Sequence, residues 1–262
     1  MDRRQFINTT ALGALGAGLV APGDAFALGK SSKLGIGLLK HGGGYRERPR
    51  SVEQLMWEVT KQTSIDVRER PLIVDASSAK LYKSPLLVWI GTGATAPIPE
   101  ADRQRLSRFL RAGGTLFIDD ATVPGDDSFD ASARREIEAL MPDVPLTPIS
   151  NDHTIYRSFF LLQEPYGRVR RKAFLQGTPF DDRCPIIYNR NDLFGALGRD
   201  SFGQWLMPVV PGGAAQRERA FRLGINLLMY ATCLNYKRDQ VHVTAILRRR
   251  RWRVDRPNGP TR

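Results

Sequence analysis

Residues 85–121 read as one continuous unit: an apolar run, a helix, and a second apolar run. Leu86, Leu87, Val88, Trp89 and Ile90 show no polar alternation, the pattern of a strand covered on both faces. Pro99 suits the first helical position, and Glu100 and Asp102 stand where the helix dipole favours negative charge. Leu106, Phe109 and Leu110 form the buried stripe, Arg108 and Arg111 complement the carboxyl end, and Gly113 supplies a left-handed cap. A second strand over 115–118 then runs into Asp119-Asp120. A strand–helix–strand unit of this kind is almost always right-handed and builds a parallel sheet, so the expected class is α/β.

The start of the chain has the layout of an export leader. Arg3-Arg4-Gln5-Phe6-Ile7 precedes a weakly hydrophobic Ala/Gly/Leu stretch over 10–21, and Ala25-Phe26-Ala27 offers a small-x-small cleavage site. The apolar stretch is too short and glycine-rich to anchor in a bilayer. It resembles a twin-arginine signal, which implies export of an already folded protein, cleavage after Ala27 and a periplasmic location. Residues 33–247 contain no repeat or linker and read as a single α/β domain, followed by a basic tail over 248–262. That tail holds seven Arg against one Asp, half of the net charge of +12, so the body is only mildly basic. Its Arg-Arg-Arg-Arg-Trp-Arg run, Arg248 to Arg253, suits an anionic membrane surface or a solvated end. Export makes nucleic acid an unexpected partner.

The mature chain opens with a strand over 34–39 and a glycine-rich basic loop, His41 to Arg50. Ser51 and Gln54 form a capping box, and Val52, Leu55, Met56 and Val59 give helical spacing. Strand, glycine loop and helix invite a phosphate-cradle reading, but the spacing fits neither the dinucleotide nor the P-loop pattern, and a turn is preferred. An edge strand interrupted by Pro71 is expected within 65–75, a helix over 131–141, a short strand over 144–149 and another over 184–188. Residues 167–172 carry four cations and read as a solvated loop. The longest helix, 214–236, is apolar nearly all round, and its Asn226 needs a hydrogen-bond partner.

In open parallel sheets, ligands lie beyond the carboxyl ends of the strands. Here those ends carry His41, Tyr45, Arg46 and Arg48, then Thr92, Asp119-Asp120, Asp152-His153 and Asn191-Asp192. Three readings compete. Asp119, Asp120, His153 and Asp192 could hold a divalent cation, although their spacing is not diagnostic. Asp120 and His153 could serve as the acid/base pair of a hydrolase, although no Ser or Cys stands in a Gly-x-nucleophile-x-Gly turn. In the structural reading, which takes precedence over these two, Asp119 and Asp120 cap the next element, His153 is a satisfied histidine, and Arg46 and Arg48 pair with the acids. Cys184 and Cys233 could pair outside the cytoplasm, but Cys233 lies in the apolar helix, where a buried thiol is the commoner state.

Several blocks, in order, resemble the bacterial domain-of-unknown-function 4159 family. They are His41-Gly-Gly-Gly-Tyr45-Arg46-Glu47-Arg48-Pro49-Arg50, Leu110-Arg-Ala-Gly-Gly-Thr-Leu-Phe-Ile-Asp119-Asp120, Asn151-Asp152-His153-Thr-Ile-Tyr-Arg-Ser-Phe159, Ile187-Tyr-Asn-Arg-Asn191-Asp192 and Ala220-Phe-Arg-Leu-Gly-Ile-Asn-Leu-Leu-Met-Tyr-Ala231, with Asp239-Gln-Val-His242 at the end. The resemblance implies a flavodoxin-like three-layer sandwich similar to class I glutamine amidotransferases. It carries over no amidotransferase cysteine, because Cys184 begins a strand and no Cys occupies a strand-to-helix elbow. The expectation is an exported domain that binds a ligand or envelope partner in a polar crevice. The alternative is a hydrolase or carbohydrate-active enzyme using Asp119, Asp120 and His153, with or without a metal.

Overall fold

The computed structural model describes residues 33–42 and 44–232. Among the described residues the strands are β1 (Ile36–Leu39), β2 (Leu72–Val74), β3 (Leu86–Gly91), β4 (Thr115–Asp120), β5 (Thr147–Pro148), β6 (Gln176–Gly177) and β7 (Ile186–Asn189). The helices are α1 (Gly44–Glu47), α2 (Pro49–Gln62), α3 (Glu100–Arg111), α4 (Ser128–Leu140) and α5 (Gly213–Thr232). The leader, the basic tail and Cys233 lie outside the described residues.

The strands form one seven-stranded sheet in the order β2-β1-β3-β4-β7-β6-β5. The first five run parallel, with Ile90 opposite Asp119, Gly91 opposite Asp120, and Asp119 opposite Asn189. At one edge β6 runs against the others, pairing antiparallel with both β7 and β5. The sheet grows from β1 to β2 on one side and then to β3 on the other, so the strand order reverses between β1 and β3.

Both faces of the central strands β1, β3, β4 and β7 are dry, which is why β3 and most of β4 read as unbroken apolar runs. Leu86, Val88 and Ile90 of β3 enter one core with Val52, Leu55 and Met56 of α2 and Leu223 and Leu227 of α5. Leu87 and Trp89 enter a second core with Leu106, Phe109 and Leu110 of α3 and Ala133, Ile137 and Leu140 of α4. Each such side chain, fully buried, contributes about 1.5–3 kcal/mol relative to an exposed one. The result is a helix layer on each side of the sheet.

Local chemistry sets the boundaries. Helix α2 begins at Pro49, two residues ahead of the expected Ser51 cap, and its N-cap Arg48 makes no side-chain capping bond. Proline, with its fixed φ and missing N–H, starts the helix by itself, and Ser51 is buried within the first turn instead. Helix α3 begins one residue after Pro99, whose carbonyl accepts from the amides of Asp102 and Arg103. The glycine-rich segment is not all loop: α1 is a helical turn inside it. Gly44 packs so tightly on the end of β3 that a Cβ there would lie 2.1 Å from the Ile90 carbonyl oxygen. The edge strand is confined to the residues after Pro71, and the 144–149 strand shrinks to the two residues of β5. Its partner β6 has too few residues to show a period in the sequence. Asn226 is satisfied, accepting from the amides of Phe159 and Phe160 and donating to the Phe160 carbonyl.

Candidate functional site

The carboxyl ends of β4 and β7 gather a cluster of buried polar groups: Asp119, Asp120, Thr122, Asn189, Asn191 and Asp192. Strand alternation decides how they divide. On β4, Phe117 faces the α2/α5 core and Ile118 the α3/α4 core, so Asp119 and Asp120, both fully buried, turn to opposite sides of the sheet.

Asp119 accepts three hydrogen bonds: from Asn189 Nδ2 at 2.8 Å, and from the amides of Leu193 and Phe194, each at 2.9 Å. It thus caps the 3-10 turn Phe194–Ala196 that follows β7. Burial, and next the charge of Asp192, push its carboxyl up to about 7, against the pull of those three donors. Asp192 has a left-handed backbone, φ 52°, which Asp tolerates better than most residues. Its carboxylate is fixed by Arg168 Nε and by the Gly195 amide.

On the other face, Asp120 takes Arg171 Nη1 and Arg190 Nε, each at 3.2 Å, together with the amide and hydroxyl of Thr122. Arg171 also holds the Thr122 hydroxyl and carbonyl, and Arg190 reaches Asp127. Asn191 stitches the segment over 165–172 to the end of β7. Its amide oxygen accepts from the amides of Arg171 and Lys172, while its Nδ2 donates to the carbonyls of Pro165 and Lys172. Gly167 lets the two backbones touch, since a Cβ there would lie 2.0 Å from the Asn191 carbonyl oxygen. Two buried carboxylates, Asp120 and Asp192, therefore meet three largely buried guanidiniums, while Asp119 is held by neutral donors alone.

This arrangement corrects two expectations. The cations over 167–172 are not uniformly solvated: Arg168 and Arg171 turn inward, because carboxylates buried at the end of an apolar strand need counter-charges. The arginines that pair with the strand-end acids are Arg171 and Arg190 rather than Arg46 and Arg48. Arg46 is exposed and donates to the Tyr45 hydroxyl, and Arg48 is buried. Arg168, Arg171, Asn189 and Arg190 were thus missed as members of the network. The cue in the sequence was the acid pair itself, since carboxylates at the end of an apolar strand need counter-charges.

His153 stands apart. Its Nδ1 accepts from the Ile155 amide, and its ring lies 5.5 Å from that of Tyr230. The Tyr230 hydroxyl accepts from the amide of Cys184, just before β7, whereas Asp119 pairs with Asn189 at the strand's other end. Five residues of extended chain place these ends about 16 Å apart. The geometry does not bring His153 to Asp119 or Asp120, and among the described residues no group of three or more His, Cys, Asp or Glu could hold a metal ion. Asp152 is exposed and paired with Arg157.

His41, Tyr45, exposed Arg46 and half-buried Thr92 follow the carboxyl ends of β1 and β3, the two strands between which the strand order reverses. His41 Nε2–H donates to the Ala96 carbonyl at 2.9 Å, and its ring meets that of Trp89 edge-on. Burial holds the imidazole below its usual value, opposed by the Ala96 carbonyl and Glu136. The loop after β3 is pinned from α4: Ser132 accepts from the Thr95 amide and Arg135 donates to the Thr95 carbonyl. No curated protein matches this chain. The model of the family described as a domain of unknown function (DUF4159) matches residues 35–232, most of the chain, and the protein belongs to that family.

Proposed function

We propose that this protein is an exported domain that binds a ligand or envelope partner without turning it over. One observation carries this reading: Asp119, Asp120 and Asp192, the acids a hydrolase would need at the strand ends, are spent on internal donors. A general acid or base must reach a proton on its substrate, and fully buried carboxylates held by internal donors do not. The only cysteine among the described residues, Cys184, precedes β7 at its amino end and offers no nucleophile elbow.

The parallel order β2-β1-β3-β4-β7 corresponds to the flavodoxin-like 2-1-3-4-5 pattern and supports an amidotransferase-like sandwich stripped of that chemistry. In such sheets the ligand position is the reversal point, here between β1 and β3, and the strand ends that flank it are followed by His41, Tyr45 and exposed Arg46. Export rests on the Arg3-Arg4 leader.

The test joins binding to turnover. Melting of the mature protein would be followed against inorganic phosphate, simple mono- and dicarboxylates and neutral sugars. A saturable rise in Tm that disappears in Arg46→Ala supports the crevice. Nitrophenyl esters, phosphates and glycosides should show no turnover, and turnover abolished by Asp120→Asn in a protein that still folds would overturn the proposal.

A further inference from the structure

The chain leaving β3 is held differently from its neighbours. The segments that follow β4 and β7 are fastened by fully buried carboxylates. Asp120 accepts from the amide and hydroxyl of Thr122, and Asp119 and Asp192 accept from the amides of Leu193, Phe194 and Gly195. Residues 93–97 are not held in that way. From Gly93 to Ile98 no backbone–backbone hydrogen bond ties the segment to another described residue. Side chains do it instead. Ser132 accepts from the Thr95 amide at 3.0 Å, Arg135 donates to the Thr95 carbonyl at 3.0 Å, and His41 Nε2–H donates to the Ala96 carbonyl at 2.9 Å. His41 follows β1, so the last of these bonds joins the chains leaving the two strands between which the strand order reverses.

Both ends of the segment are fixed. Gly91 lies so close to Phe129 that a Cβ would meet the ring at 1.9 Å. Ile98 is buried in the α3/α4 core, and Arg103 donates to its carbonyl. Between these anchors the chain is loose: a Cβ on Gly93 would meet nothing within 4 Å, and Ala94, Ala96 and Pro97 are exposed. Behind the His41 bond lie polar groups that the closed segment leaves unanswered. Trp89 is fully buried with its ring edge-on to His41, and neither its indole N–H nor the buried Thr95 hydroxyl has a hydrogen-bond partner. A buried donor without a partner carries a desolvation penalty that opening to solvent removes. A segment tied only by side chains needs few bonds broken to move.

We infer that residues 93–97 are a lid over the carboxyl end of β3, pivoting between Gly93 and Ile98 and latched by His41, Ser132 and Arg135, and that its opening exposes the indole N–H of Trp89 to an acceptor atom of a ligand. Hinges of this kind need only a few loop positions that absorb the change in φ and ψ. The ligand's part rests on the reading of the β1/β3 reversal point as the binding position; the motion does not. Losing one net hydrogen bond from the latch shifts the opening equilibrium about fivefold.

Hydrogen exchange at the indole N–H groups, followed by NMR on protein carrying isotope-labelled tryptophan, tests the lid with no ligand present. The Trp89 signal is assigned by its loss in Trp89→Phe. It should exchange far faster than global unfolding allows, with little dependence on urea. Exchange should be about fivefold faster in Arg135→Ala, because the exposed Arg135 bonds to the lid, with urea unfolding run alongside to verify that global stability is kept. Gly93→Ala, which narrows the backbone freedom of the pivot, should slow it. Exchange of Trp89 only at the rate and urea dependence of global unfolding would overturn the lid, as would a rate that Arg135→Ala leaves unchanged. Inorganic phosphate or acetate binding saturably to a protein whose Trp89 exchanges only by global unfolding leaves the crevice standing and removes the lid. An opening lid in a protein that binds neither supports the lid and counts against the crevice.

Discussion

Asp119 shows how far a carboxyl can be taken from water when its geometry is complete. It is fully buried, yet Asn189, Leu193 and Phe194 all donate to it, and Asp192 adds a like charge nearby. In the unfolded chain this group loses its proton near 3.8; folded, it keeps it up to about 7. Between those values the folded state binds the extra proton, so its contribution to stability is full below about pH 4 and declines as pH rises towards 7. In urea unfolding across that window, the stability gap between wild type and Asp119→Asn should narrow steadily with rising pH. Parallel profiles would show that burial does not govern this carboxyl. Trp89 makes a second case. It is fully buried, edge-on to His41 and Phe129, and its indole N–H has no hydrogen-bond partner. Phe keeps most of the ring and removes the unsatisfied donor, so Trp89→Phe should cost about 1 kcal/mol or less. Trp89→Ala should cost about 3–5 kcal/mol by chemical denaturation. That Trp89 is core was legible in its apolar run. The burial of Asp119 was legible only as a position, because its partners come from 70 and more residues further along.

At the scale of elements, the strands and helices that pack locally were readable and the segment that fastens them was not. Periodicity located β3, α3 and β4 to within a residue or two, because both faces of each strand and one face of the helix are dry. Periodicity says nothing about the segment over 167–172, where four cations in six residues look alike. The structure separates them. Arg170 stays at the surface with Glu164, while Arg168 and Arg171 reach buried Asp192 and Asp120. An exposed pair contributes roughly 0–1 kcal/mol, whereas removing one partner of a buried pair strands the other charge. Arg171→Met should therefore destabilise the fold by on the order of 3 kcal/mol. Arg170→Ala should stay within about 0.5 kcal/mol of wild type. Denaturation midpoints of the two variants, measured side by side, check the contrast. Equal losses would mean that the Asp120 network does not hold the segment.

At the scale of the whole molecule, the contacts that finish the fold are long in sequence. Arg171 meets Asp120 across 51 residues, and Asn189 meets Asp119 across 70. Parallel strands closed by such contacts form late and slowly, since loop closure must precede the reward. A chain of this kind, released unfolded outside the cytoplasm, would expose β3 and β4, its two most continuous apolar strands, before β7 could cover them. An export route that carries the finished fold removes that exposure, and the Arg3-Arg4 pair ahead of Phe6 and Ile7 resembles the signal for it. The twin-arginine reading makes a prediction that charge alone does not. Replacing Arg3 and Arg4 together by Lys keeps the positive start of the leader but loses the planar guanidinium pair. Fractionation should then find uncleaved protein in the cytoplasm, folded and with a wild-type melting temperature. Mature protein exported as before would show that the leader is read only as a charged, apolar signal.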